Sequence, residues 1–457
     1  MRAAPRTQLI ALFALTGTGL FALAGWQALD AAVVWWGFAG FAAVAAADMF
    51  ISRESGISVV FPDIVRMAKN RKITFPVTVS GPEPSLVKIG FLLPGNRFAF
   101  PHEQEARLTE EARPAEKAVS VSIQWPVTGV KQGQFILDAC HVETASRLGF
   151  WAVRRRIPLQ CEFRVYPDMM PERRALAALF PESGFGLHAR KSVGKGREFE
   201  RLREYLPGDN YEDIHWKATA RRGIPVSKMY QIERTQDVYV LIDAARMSAR
   251  NARAFSGPGE DLSDDKRTKE SILEKYITAA LSVGMAAEHQ GDNFGVGVFS
   301  DRMERFIPAG NSKAHYTACR DALYTIEPRK VTPDFTECIT FAGNRIRKRS
   351  LLIIMTTLDD AAIADSLLNN IHILSRRHLV TVNMLRPVTA RPLFSSEDIS
   401  SVDDIYRSLG GHYLWHFLRE CEGALSKLGT GFFLHPYQAF TLNTISHYMT
   451  LKKRQVL

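Results

Sequence analysis

The sequence predicts a multidomain chain: an α-helical transmembrane hairpin, then a β-sandwich, then an α/β domain built on a doubly wound parallel sheet. Three observations carry this. Residues 8–26 and 31–47 are uncharged and apolar. Between about residues 57 and 165 the apolar residues come in short alternating runs broken by Pro and Gly. From Val238 onward, continuous apolar runs alternate with segments of helical periodicity.

The hairpin comes first. At a rise of about 1.5 Å per residue, each apolar run approaches the thickness of a hydrocarbon core. Only residues 27–30 separate the runs, and Trp26, Trp35 and Trp36 lie near that turn, where aromatic rings favour an interface. A cleaved signal peptide would account for Arg2, Arg6 and the first run but leaves the second unexplained. Arg2 and Arg6 precede the first run; Arg53, Arg66, Lys69, Arg71 and Lys72 follow the second. The positive-inside rule then places both ends in the cytoplasm. The expectation is a multi-pass protein of a bacterial plasma membrane, with residues 1–52 as its anchor.

Residues 53–167 read as the β-sandwich-like domain. Runs such as Ile73-Thr74-Phe75-Pro76-Val77-Thr78-Val79 and Val119-Ser120-Val121-Ser122-Ile123 alternate with the period of a strand. Pro82, Pro84, Pro94 and Pro126 mark turns or edges. Residues 103–117 are charged and read as an exposed loop.

Residues 237–390 read as the α/β domain. Val238–Ile242, Phe294–Phe299, Ser350–Met355 and His378–Leu385 are its buried strands, and Ile272, Leu273, Tyr276, Ile277, Ala280, Leu281 and Met285 form one helix face. Residues 391–457 read as a helical and strand extension of it. No dinucleotide fingerprint or P-loop occurs.

The whole chain has 457 residues, about three domains at roughly 150 each. A 46% hydrophobic and 23% charged composition excludes a fibrous or wholly disordered chain. A net charge of +10 suits an anionic partner and does not choose among membrane, nucleic acid and protein. Cys140, Cys161, Cys319, Cys338 and Cys421 form no CxxC pair, which argues against a zinc site and for reduced, buried thiols.

Residues 168–236 hold the densest pattern. Residues 194–222 read GKGREFERLREYLPGDNYEDIHWKATARR. Pro207-Gly208-Asp209 is a turn signal, and Ile214 and Trp216 could anchor apolar contacts while Lys217, Arg221 and Arg222 stay at the surface. This segment resembles the signature of the DUF58 family of bacterial and archaeal proteins. The matching positions are Gly194, Gly196, Glu198, Phe199, Leu202, Arg203, Tyr205, Gly208, Asp209, Ile214, Trp216, Lys217, Thr219, Ala220 and Arg221. The likeness extends over residues 148–167 and 238–243. Around Glu212 and Asp213 the family often carries arginine, so this chain departs from it there.

The resemblance implies an α/β part similar to von Willebrand factor A domains, and a partner among the MoxR-type AAA+ ATPases in protein assembly or chaperoning. It implies no reaction. In such domains a metal-dependent site needs Asp-x-Ser-x-Ser after the first strand. Here the stretch is Asp243-Ala244-Ala245-Arg246-Met247, which keeps the carboxylate and loses both hydroxyls. Thr332 and Thr336 are candidates for the threonine of a middle loop. The expectation is a vestigial site at Asp243, with no metal and no cofactor.

The resulting functional expectation is a non-enzymatic, membrane-anchored scaffold or adaptor, with the signature segment forming an interface. The alternatives are a hydrolase using the signature carboxylates and His215, and a nucleic-acid binder. Neither has a supporting motif.

Overall fold

The computed structural model describes residues 2–25, 31–52, 56–81, 86–91, 93, 97–101, 103–107, 119–179, 193–206, 209, 211–231, 235–255, 270–393, 395 and 401–454. It divides into two compact units, Met1–Asp168 and Met169–Leu457.

The first unit runs β1 (Arg2–Pro5), α1 (Thr7–Gly25), α2 (Ala31–Ile51), β2 (Ser58–Val60), β3 (Ile64–Ala68), β4 (Lys72–Gly81), β5 (Leu86–Phe91), β6 (Phe98–Ala99), β7 (Glu103–Arg107), β8 (Val119–Gly129), β9 (Gly133–Ala145) and β10 (Trp151–Tyr166). One sheet has the order β1-β10-β9-β5-β7, with β3 also on β10; the other is β2-β4-β8-β6. Along β4 the inward positions alternate, so Phe75, Val77 and Val79 are buried. They share a core with Phe91, Trp125 and Phe163; the Phe91 and Trp125 rings lie 4.5 Å apart. Residues 103–107, which read as a loop, form β7 and pair with β5. That sequence, Glu-Gln-Glu-Ala-Arg, lacks β-branched residues, so pairing with β5 overrides its weak strand propensity.

The transmembrane hairpin is corrected by the structure. Helices form over both apolar runs, yet among the described residues no helix is long and apolar enough to cross a membrane. The multi-pass expectation falls with it. The flanks show where the apolar stretches go. Arg2–Pro5 pairs with Trp151–Arg154 as an edge strand, and the Arg6 N–H donates to the Phe150 carbonyl at 2.9 Å. Near the end of α2, Asp48 is buried and accepts the Leu148 N–H at 3.0 Å, while Trp151 Nε1–H donates to the Ala45 carbonyl at 2.8 Å. These contacts tie the ends of the two helices to the first sheet, while side chains such as Ile10, Phe13, Leu15 and Phe50 stay exposed. Trp35 and Trp36 remain exposed; Trp26 and the connecting residues 27–30 lie outside the described residues.

The second unit runs α3 (Met170–Leu179), β11 (Val193–Glu204), α4 (Trp216–Arg222), β12 (Val226–Gln231), β13 (Asp237–Asp243), α5 (Ile272–His289), β14 (Asn293–Phe299), β15 (Met303–Gly310), α6 (Lys313–Leu323), α7 (Phe335–Arg345), β16 (Leu351–Met355), α8 (Ala361–Ser375), β17 (Leu379–Leu385), α9 (Val402–Lys427), β18 (Gly431–His435) and α10 (Phe440–Lys453). A six-stranded sheet has the order β15-β14-β13-β16-β17-β18. Every neighbouring pair is parallel except β14 with β15. Both faces are covered. Val238, Val240 and Ile242 meet Tyr276, Ile277 and Phe440 of α5 and α10. Tyr239 and Leu241 belong to the opposite core, with Phe335 of α7, Leu367 of α8 and Leu418 of α9. The sheet is therefore mixed at one edge, and β18 makes the C-terminal stretch a strand of the sheet itself.

At the amino-terminal rim, a buried carboxylate fastens the last helix. Asp292 accepts the Gln236 N–H at 3.1 Å, the Lys452 ammonium at 2.7 Å and the Tyr448 hydroxyl. Its side chain is wholly buried and that of Lys452 is 16% exposed. Removing one partner of such a pair leaves an uncompensated charge. Asp292→Ala is expected to destabilise the chain by about 3–5 kcal/mol, read from the midpoint of denaturant unfolding. A loss under about 1 kcal/mol, as for an exposed pair, would contradict this reading.

Candidate functional site

The signature segment folds as a hairpin around a short helix. β11 and β12 pair antiparallel, with Glu198 opposite Gln231, Phe199 opposite Tyr230, Leu202 opposite Lys228 and Arg203 opposite Ser227. Gly196 lies on β11; Gly208 is outside the described residues. The Tyr205 N–H continues the pairing to the Pro225 carbonyl at 2.9 Å.

Asp209 closes the turn. Its Oδ1 is 2.5 Å from Arg203 Nη2, and its Oδ2 accepts the Leu206 N–H at 3.1 Å and the Ser227 hydroxyl at 3.2 Å. The Leu206 N–H, then the Ser227 hydroxyl and the Arg203 guanidinium, hold this carboxyl below its ordinary range against an opposing desolvation. Ser227 was invisible from the sequence because nothing in its local pattern marks it as a partner of Asp209.

The helix is pinned at both ends. Ile214 is buried and bridges to Ser227, and the His215 N–H bonds the Val226 carbonyl at 2.8 Å. His215 Nδ1 accepts the Ala218 N–H at 3.0 Å and caps α4. That ring nitrogen spends its lone pair on the backbone, so the neutral imidazole presents an Nε2–H donor and no acceptor for general-base work. Thr219 Oγ1 accepts the Val226 N–H at 3.1 Å. Gly223 ends the helix at φ +68°, with its N–H on the Thr219 carbonyl.

Four signature residues, Trp216, Lys217, Ala220 and Arg221, face solvent. Trp216 is 69% exposed and Tyr211 76% exposed; Leu206 and Ile224 are also exposed. Lys217, Ala220, Arg221 and Arg222 are exposed beside them. The expectation that Trp216 anchors apolar contacts is thus corrected: Ile214 does so, and the indole points outward at the first residue of a helix too short to bury it. The Tyr205 and Tyr211 rings lie 6.0 Å apart, and desolvation with a hydroxyl bond to Tyr211 pushes the Tyr205 phenol up.

The carboxyl end of β13 places Asp243 in a dry niche. Its Oδ1 accepts the Ala245 N–H at 2.8 Å and its Oδ2 the Thr356 hydroxyl at 2.6 Å. Burial pushes its pKa up to about 6 despite those two bonds. Thr332 is exposed, and Thr336 Oγ1 accepts from Asn370, so the hydroxyl that meets Asp243 comes from Thr356, directly after β16. Arg250 pairs with Asp359, and Arg246 stands 4.0 Å from Asp360. Guanidinium groups thus supply the positive charge beside these carboxylates. Among the described residues, no group of three or more His, Cys, Asp or Glu side chains could hold a metal ion.

The chain matches the family described as "Protein of unknown function DUF58" over residues 201–391. The DUF58 match begins inside β11 and ends after β17, spanning less than half of the chain. Among solved structures, the chain is similar to the conserved hypothetical protein BatB from Bacteroides thetaiotaomicron, at 14% identity, 48% of this chain, 99% of that chain and a TM-score of 0.29. It is also similar to an aerotolerance-related membrane protein from Bacteroides fragilis, at 15% identity, 48% and 97% coverage and a TM-score of 0.27. An uncharacterized membrane spanning protein from Vibrio fischeri matches at 11% identity, 47% and 98% coverage and a TM-score of 0.18. No curated protein matches the chain.

Two outcomes follow from the DUF58 region's geometry. Because the folded pKa of Asp243 exceeds its unfolded value, the native state holds the extra proton between them, and stability falls as pH rises from about 4 through 6. Asp243→Asn should remove that downward slope and raise stability at pH 7 on the order of 1 kcal/mol, read from unfolding curves across pH; identical slopes in both proteins would refute it. Calorimetric titration with Mg²⁺ or Mn²⁺ should show no heat of binding at this rim, and micromolar binding abolished by Asp243→Ala would overturn that.

Proposed function

We propose that the chain is a non-enzymatic adaptor that works at a membrane and presents its signature hairpin to a protein partner. The partner favoured by the family resemblance is a MoxR-type AAA+ ATPase engaged in protein assembly or chaperoning, with the second unit acting as a von Willebrand factor A-like module. Exposed apolar side chains on α1 and α2, among them Phe13, Leu15, Trp35 and Trp36, favour a lipid-facing location for the first unit.

One observation carries the reading: the division of the signature into a pinned frame and an outward face. Arg203, Asp209, Ser227, Ile214, His215 and Thr219 are spent on holding the hairpin. Trp216, Tyr211, Leu206 and Ile224 are left in water beside Lys217, Arg221 and Arg222. Tryptophan, tyrosine and arginine are the residues most enriched where protein interfaces store their binding energy.

The test separates frame from face. Trp216→Ala with Tyr211→Ala should weaken capture of a purified MoxR-type ATPase by about tenfold or more while leaving the melting temperature unchanged. Arg203→Ala should lower the melting temperature. Undiminished capture by the folded double variant would dispose of the interface.

A further inference from the structure

Beyond the carboxyl ends of β17 and β18, the side on which open α/β sheets take their ligands, a cavity of about 700 Å³ opens against α9. That volume lies in the range that holds a drug-sized molecule, and it is far more than an inorganic ion needs. Its charged lining is three arginines, Arg386, Arg391 and Arg419, against one carboxylate, Glu422. Arg419 pairs with Glu422 at 2.9 Å. Among the described residues, no carboxylate pairs with Arg386 or Arg391. Two guanidinium charges on one wall are therefore left over. His435, on the same wall, adds none: burial, and then His447, pulls its pKa down to about 4, and its Nε2–H bonds Asn383 Oδ1 at 3.0 Å.

The walls are fixed to one another. The Arg386 N–H donates to the His435 carbonyl at 2.8 Å, which ties the loop after β17 to β18. The same loop is tied to α9, where His412 Nδ1 accepts the Leu393 N–H at 3.1 Å. At Gly411 the Thr389 carbonyl oxygen approaches so closely that a Cβ would lie 2.1 Å from it. Only glycine lets the loop and the helix meet there. Arg386 and Arg391 are thereby carried on a segment held from two sides. Trp415 is steadied along α9 as well: its ring lies 5.7 Å from that of His412 at 18°, and Arg419 stands 5.6 Å from its centre. Positions three before and four after a helical residue flank it on one face, so the indole is braced in both directions.

The rest of the lining is apolar, with Val388, Leu418, Phe433 and Leu434 among it. A cation is repelled by the two free guanidiniums. A bare inorganic ion would answer them and leave the apolar wall against water. A carboxylate monoanion would balance one of the two charges. A phosphate monoester carries close to two negative charges at neutral pH on three acceptor oxygens, and the planar guanidinium fork matches those oxygens two at a time. Its organic body supplies the surface that the apolar wall needs.

We infer that this cavity is a binding site for a small organic phosphate monoester, its phosphate held by Arg386 and Arg391 and its apolar body lying against Val388, Leu418 and Phe433. A soluble ester and the headgroup of a phosphatidic acid share this chemistry. The site has no residue in common with the signature hairpin and goes beyond the function proposed above.

The experiment titrates the full chain calorimetrically with naphthyl phosphate, and then with inorganic phosphate, naphthyl sulfate and a naphthalene dicarboxylate. The phosphate ester should give a saturable heat. Inorganic phosphate, which lacks the ring, and the sulfate, which lacks the second charge, should each bind about tenfold or more weakly. Arg386→Gln with Arg391→Gln should weaken the ester by about tenfold or more and leave the melting temperature unchanged, since neither side chain has a carboxylate partner to lose. Trp216→Ala with Tyr211→Ala should leave ester binding unaltered, so that failure of the hairpin interface and failure of the cavity are read apart. A short-chain phosphatidic acid that displaces naphthyl phosphate would support the site and assign it to a lipid headgroup; no displacement beside intact ester binding would support it and assign it to a soluble ester. Absence of a saturable heat, or full binding by the folded double arginine variant, would overturn the inference. So would binding of the inorganic ion, the sulfate or the dicarboxylate as tight as that of the ester.

Discussion

A parallel sheet has to be covered on both faces, and the second unit is organised around that constraint. Strands β13, β14, β16 and β17 are buried along almost their whole length. Helices α5 and α10 take one face, and α7, α8 and α9 the other. The middle of the sheet therefore has no room for chemistry. Two buried carboxylates lie at its two rims, where strand ends release backbone groups to loops. Asp292 sits at the amino rim and fastens α10; Asp243 sits at the carboxyl rim beside Ala245 and Thr356. The carboxyl rim is also where open α/β sheets place their ligands, and the Arg386 loop leaves the sheet on that side.

The two halves of the carboxyl rim solve the same electrostatic problem differently. At β13, carboxylates and guanidiniums balance: Arg250 meets Asp359, and Arg246 approaches Asp360. Both oxygens of Asp243 are already bonded to protein donors. These pairs are substantially exposed on the arginine side, so their contribution to stability is small. Their consequence is occupancy, since the carboxylates a hard cation would need are engaged. At β17 and β18, Arg386 and Arg391 have no such counter-charge among the described residues.

What the sequence made legible depended on how far each pattern is local. Val238–Ile242 and the Ile272 to Met285 face announce a buried strand and a helix because every residue in them answers to one environment. The turn at Asp209 was legible from Pro207-Gly208-Asp209, though its partner Ser227 sits eighteen positions away and carries no mark. Trp216 shows the limit of reading by residue type. A tryptophan suggests burial, and only the short capped helix it begins puts the ring in water. The apolar runs near the N-terminus failed in another way. The contacts that tie the end of α2 to the first sheet, Asp48 with Leu148 and Ala45 with Trp151, join residues about a hundred positions apart, which no local pattern reveals. The strand β7 was missed because Glu103–Arg107 has poor intrinsic preference and owes its form to β5.

The outward face of the hairpin has a composition with kinetic consequences. It sets exposed aromatic side chains beside cationic ones: Trp216 and Tyr211 near Lys217 and Arg221. Charges at the rim of such a surface act over about a Debye length and govern encounter, whereas apolar anchors act only on contact and govern how long a complex lasts. The net charge of +10 adds a long-range attraction for negatively charged surfaces in general. Rigidity decides whether that attraction is useful. In the hairpin it comes from Asp209, whose carboxylate meets Arg203, Leu206 and Ser227 at once; in the loop after β17 it comes from the contact of Thr389 with Gly411 and from His412 on Leu393. In both places buried or half-buried polar groups hold the backbone still, so that the exposed side chains lose less freedom when a partner arrives.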